Sequence, residues 1–132
     1  MYSAVKNLII GLVSTGFLIS SLAVSASARE IVRTGNCSAG SIYEADMELE
    51  YRVWDLSFDV ETRTANQNWT FTLKQNGKSV YNSTKSAVSD FDDNYAEVEW
   101  DVIRPDRSSR DRFQFVAKNQ VTGEVCRVTL RE

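Results

Sequence analysis

Four arginines fall within nine residues of "RPDRSSRDR": Arg104, Arg107, Arg110 and Arg112. Guanidinium groups on one loop can hold a carboxylate, a phosphate or an acidic polysaccharide through paired hydrogen bonds. Asp106 and Asp111 lie between them and cancel part of that charge, as in a solvated loop with local ion pairs. A second stretch, "SDFDDNY", places Asp90, Asp92, Asp93 and Asn94 close together. Hard oxygen ligands at such spacing resemble the first half of a calcium loop, but Tyr95 stands where the turn-making glycine of such a loop belongs. Glu97, Glu99 and Asp101 could supply the paired carboxylates of a glycoside hydrolase, yet their spacing puts them together on the polar side of one strand. Trp54, Trp69 and Trp100 could stack on sugar rings. Trp69 and Trp100 share the register of apolar neighbours and read as core, whereas Trp54 sits where the alternation changes parity and is the better exposed candidate.

Histidine is absent from the chain. That removes Ser-His-Asp and Cys-His catalysis, the usual zinc sites and the usual switch near neutral pH. No cofactor is implied.

Residues 1–28 carry one cation, Lys6, then an uncharged apolar run from Leu8 to Val24, and end in Ala26-Ser27-Ala28. This is the pattern of a secretory signal cleaved after Ala28. A membrane anchor is the competing reading, weakened by Ser14, Thr15, Gly16, Ser20 and Ser21 within the run. The expected product is residues 29–132, secreted, extracellular or periplasmic, with no further membrane span. Lys6 leaves with the signal, so 14 Lys and Arg face 18 Asp and Glu, a net charge of −4. Mild acidity argues against nonspecific nucleic-acid binding.

The two cysteines, Cys37 and Cys126, lie near the two ends of that segment. In an exported chain they read as one disulfide closing nearly the whole domain. The alternative, a redox pair, usually has Cys-x-x-Cys spacing, which is missing.

The alternation of apolar and polar residues has period two, the mark of half-buried strands. Leu56, Phe58 and Val60 fall on one face; so do Trp69, Phe71 and Leu73; Ala96, Val98, Trp100 and Val102; Phe113, Phe115 and Ala117; and Cys126, Val128 and Leu130. Tyr43, Ala45, Met47 and Leu49 occupy odd positions while the next run uses even ones, so a turn or bulge must fall between Glu50 and Val53. Asn76-Gly77 is the strongest hairpin signal, and Thr122-Gly123 joins the last two strands. About seven to eight short strands at this spacing predict an all-β, antiparallel β-sandwich of residues 29–132, with a barrel as the lesser alternative.

The motifs that punctuate these strands resemble a family of small secreted bacterial proteins, common in actinobacteria. Thr34, Gly35, Cys37 and Ser38 match its first motif; Gln67, Trp69, Leu73, Asn76 and Gly77 its hairpin motif; Thr122, Gly123, Glu124 and Cys126 its last. The resemblance implies an immunoglobulin-like β-sandwich with the two cysteines bridged, and it implies no activity. The chain departs from the family pattern in "SAVSDFDDNYAEVEW" and "IRPDRSSRDRF".

The expected function is therefore a noncatalytic binding or structural module at the cell envelope or in the medium, with a protein or glycan ligand and no enzyme activity. The alternative is a proteinaceous inhibitor of a secreted hydrolase, acting through the arginine-rich loop.

Overall fold

The computed structural model describes residues 29–89 and 94–132. The expected signal, residues 1–28, and Asp90, Asp92 and Asp93 of the acidic loop lie outside the described residues. Among the described residues there are nine antiparallel strands: β1 (Arg29–Asn36), β2 (Ile42–Glu50), β3 (Val53–Thr62), β4 (Asn68–Gln75), β5 (Lys78–Ser86), β6 (Val88–Ser89), β7 (Ala96–Pro105), β8 (Arg112–Asn119) and β9 (Val125–Arg131). No helix among the described residues is long and apolar enough to cross a membrane.

The strands form two sheets, β1-β2-β3-β7-β6 and β5-β4-β8-β9. From β2 onward this is the immunoglobulin order, A-B-E-D facing C′-C-F-G, with β1 added outside strand A. The count exceeds the expected seven to eight because β6 is only two exposed residues with no alternation to reveal it.

The alternating positions do what their period demands. Leu56, Phe58 and Val60 of β3, Trp69, Phe71 and Leu73 of β4, and Phe113, Phe115 and Ala117 of β8 are all buried between the sheets. The strands B and F that antibody domains link by a disulfide are joined here by Phe58 and Phe115, stacked with centroids 5.5 Å apart. Phe71 stacks on Phe58 at 5.5 Å and on Trp100 at 5.0 Å, which extends the aromatic contact across both sheets.

Turns set the registers. Asn76 and Gly77 take φ of 53° and 86°, the mirror-image turn that a two-residue hairpin needs. The parity change falls at Tyr51-Arg52, whose φ values of 52° and 67° make the same kind of turn from two residues that rarely adopt it. Cys37 lies just beyond β1, in the turn to β2, rather than within the first strand, and bonds Cys126 of β9. The bridge therefore joins the two sheets. Its surroundings are knit by Glu124, whose carboxylate accepts from Ala39 N at 3.0 Å, Ser41 N at 2.8 Å and Ser41 Oγ at 2.7 Å. Gly35 is needed beneath Tyr43, since a Cβ there would meet the phenol oxygen at 2.5 Å.

Candidate binding surface

The arginine-rich loop, residues 106–111, closes the end of the sandwich opposite the disulfide. Its organiser is Asp111, whose side chain is wholly buried. The carboxylate accepts from Asn76 Nδ2 at 2.8 Å, Arg107 N at 2.9 Å, Trp54 Nε1 at 3.1 Å and Ser108 N at 3.3 Å. Burial works to raise its pKa, but the donors from Asn76, Arg107, Asp106 and Trp54 outweigh burial and hold it well below the usual carboxylate range. Asp106 is raised in turn, first by its hydrogen bond to Asp111. Ser108 Oγ accepts from Arg110 N, and Asp106 N donates to Arg52 O, which ties the loop to the β2–β3 turn. The loop is thus a braced structure rather than a solvated strand of charges.

Asp106, Asp111 and Glu132 bring one oxygen each within 4.8 Å of one another. Asp111 is occupied by N–H donors, while Glu132 accepts from Asp111 N and pairs with Arg29 at 3.2 Å. Donors converge on the Asp111 and Glu132 oxygens, whereas Asp106 Oδ1 is buried without a hydrogen-bond partner among the described residues.

The four arginines are not one cluster. Arg104 is half-buried, and its Nε donates to Gln75 Oε1 at 3.1 Å, so it braces the fold. Arg107 and Arg110 are exposed on the loop. Arg112 belongs to β8 and lies on the outer face of the four-stranded sheet. Asn94 is exposed, with the rest of the expected calcium ligands outside the described residues. Trp54 departs from expectation: it is buried, packs edge-on against Phe113 with centroids 5.8 Å apart, and donates to Asp111. Two residues in the β2–β3 turn shift the parity, so Trp54 shares the inward register of Leu56 and Phe58.

Around Arg112 is a surface that the sequence reading missed. Residues directly opposite on antiparallel strands share a face. Arg112 opposes Arg131; Gln114 opposes Thr129 and Lys74; Val116 opposes Arg127 and Thr72; Lys118 opposes Thr70. Arg112, Gln114, Thr129 and Arg131 line an open notch of about 260 Å³. The outer positions of β4, β8 and β9 hold Lys74, Arg112, Lys118, Arg127 and Arg131 and no carboxylate. The signal was present in the outward half of each alternation.

The other sheet is the reverse. Glu97, Glu99 and Asp101 do lie on the outer face of β7, as their spacing predicts. Opposite them on β3 are Glu61, Asp59 and Ser57, and Glu44 of β2 opposes Asp59 in turn. Burial, then Glu99, Glu97 and Glu44, push the Asp59 carboxyl up to about 8. The sign follows: the folded state binds a proton more tightly than the unfolded chain, so stability falls as pH rises from about 4 to 8. Asp59→Asn should raise the melting temperature above pH 8 and leave it nearly unchanged near pH 4. Thermal melts across that range check this; parallel pH profiles for the two proteins would refute it.

Comparison with known protein families, with curated proteins and with solved structures finds no match.

Proposed function

We propose that the chain is a noncatalytic binding module of the cell exterior that holds an anionic envelope glycan on the outer face of its four-stranded sheet. The observation that carries this reading is that face itself: cations at Lys74, Arg112, Lys118, Arg127 and Arg131, interleaved with Thr and Gln, on a domain whose total charge is negative. Like charges placed directly opposite, as Arg112 and Arg131 are, destabilise a sheet. A polymer bearing phosphate or carboxylate groups would offset that repulsion, with guanidinium pairs gripping it at the notch and Thr and Gln donating to its hydroxyls. The noncatalytic part of the reading is supported by the missing histidine and by Asp111, a buried carboxylate saturated with donors. The expected signal and the disulfide support an exported location.

A second reading is favoured by one observation at the braced end. Tyr51 is 84% exposed at the tip of the β2–β3 turn, beside Arg52 and the loop that carries Arg107 and Arg110. Tyr and Arg on a rigid support are the residues that anchor protein interfaces. A secreted hydrolase inhibited through this end is the corresponding partner.

The test is retention of the exported, disulfide-bonded protein on immobilised phosphate- or carboxylate-bearing glycans against a neutral glycan. Selective retention that is lost in Arg112→Ala/Arg131→Ala supports the first reading. Equal passage through both matrices overturns it, and near-stoichiometric inhibition of a hydrolase from the same medium, lost in Tyr51→Ala, would transfer the assignment to the second.

A further inference from the structure

Cations on the outer face of the four-stranded sheet recur in every row across β4, β8 and β9. Arg112 and Arg131 share the first row, Lys74 lies in the next beside Gln114, Arg127 in the third beside Val116, and Lys118 closes the series. All five are exposed. Successive rows are two residues apart, so the cations advance by about 7 Å per row along the strands. β8 is the middle strand of the three. Neighbouring strands lie about 4.8 Å away, within reach of a Lys or Arg stem, so Lys74 and Arg127 flank β8 from its two sides. The face is a track of positive charge with a fixed pitch rather than a diffuse patch. Beside it, on β4 and β5, lies a strip of neutral donors and acceptors. Thr70 Oγ1 and Thr84 Oγ1 are 2.9 Å apart, and Asn82 Nδ2 donates to Thr72 Oγ1 at 3.0 Å. Among the described residues, no outward position of β4, β8 or β9 is aromatic.

We propose that the anionic polymer held here is a polyol phosphodiester, three-carbon polyol units joined by phosphates, laid lengthwise along β8 with one phosphate to each row. This rests on the glycan reading above and narrows its ligand. Such a chain has six single bonds from one phosphorus to the next. Three backbone bonds span at most about 3.6 Å in an extended peptide, so six span about 7 Å, the pitch of the cations. The paired guanidinium groups of Arg112 and Arg131 take the first phosphate, and single cations take the next three. The polyol hydroxyls between phosphates meet the Thr and Asn strip. A polysaccharide with a carboxylate on alternate rings spaces its charges more widely and would leave rows empty. Single-stranded nucleic acid shares the six-bond repeat, but its bases stack on aromatic side chains, which this face lacks.

Titration of the exported, disulfide-bonded protein with synthetic glycerol phosphate oligomers of increasing length tests this, with hyaluronate fragments and oligothymidylate of matched charge number for comparison. Affinity should tighten about fivefold with each phosphate from the second to the fourth, the effect of one cation near an anionic surface, and then level off. Its salt dependence should steepen over the same range and no further. Lys118→Ala removes the last row at an exposed position, so the fold should persist and the gain should end at the third phosphate. Hyaluronate and oligothymidylate bearing four charges should bind more weakly than the four-phosphate oligomer. Hyaluronate that binds as tightly overturns the phosphodiester assignment and leaves the glycan reading standing. Oligothymidylate that binds as tightly overturns it in favour of nucleic acid. Affinity that climbs evenly past the fourth phosphate, or a Lys118→Ala series identical to wild type, overturns the fixed track. Absence of binding to every probe overturns the glycan reading itself.

Discussion

Reduction of the Cys37–Cys126 bridge should lower the free energy of unfolding by about 4–5 kcal/mol, the chain-entropy value for a loop of this order. The cysteines are 89 positions apart, so the bridge closes most of the described domain. It also links the β1–β2 turn of one sheet to β9 of the other, where no backbone ladder crosses. For a domain whose total stability is about 5–15 kcal/mol, the loss is large enough to leave the reduced chain marginal. Denaturant unfolding with and without reductant checks it, and the double Cys37→Ala/Cys126→Ala variant removes the complication of re-oxidation. A midpoint unchanged in both would mean that Glu124 with its three donors and the Ser38–Val125 hydrogen bonds hold this end without the bridge.

Replacing Asp111 by Ala should cost at least about 3 kcal/mol, because hydrogen bonds to a charged group contribute about 1.5–3 kcal/mol each and the abandoned donors stay buried. Trp54 Nε1 and the backbone of the 106–111 loop lose their acceptor together. The folded-state pKa of Asp111 lies below its unfolded value. Its contribution is therefore fully present above about pH 4, the unfolded carboxylate value, and disappears as pH falls through the lower folded value. The gap between wild type and Asp111→Ala should thus be widest near neutrality and narrow in acid. Chemical denaturation at several pH values measures it. A gap that stays constant with pH would assign the loss to packing instead.

These two sites differ in how far the sequence announces them. The strand alternation was legible because its cause is local: every second side chain must enter the core, so Leu56, Phe58 and Val60 declare their strand unaided. Asn76-Gly77 was legible because few residue pairs accept two positive φ angles. Trp54 was misread although its register was on display, since even positions face inward throughout β3. Asp111 was not legible as a hub. Its partners Asn76 and Trp54 stand 35 and 57 positions away, and only strand pairing brings them to it. Read locally, it diluted a run of arginines. The cationic face required one more step, because Lys74, Arg112 and Arg131 share a surface only once the order β4-β8-β9 is known.

The cationic outer face of β4, β8 and β9 is the feature on which the functional reading stands. The most direct test of the glycan reading is the salt dependence of affinity for a soluble phosphate-bearing glycan, compared between wild type and Arg112→Ala/Arg131→Ala. Binding through cations that release counterions makes log K fall linearly with log salt, and removing two contacts should lower the slope by about 2. The account predicts that fall in wild type and the shallower line in the variant. Wild-type affinity independent of salt, or identical slopes for the two proteins, would contradict it.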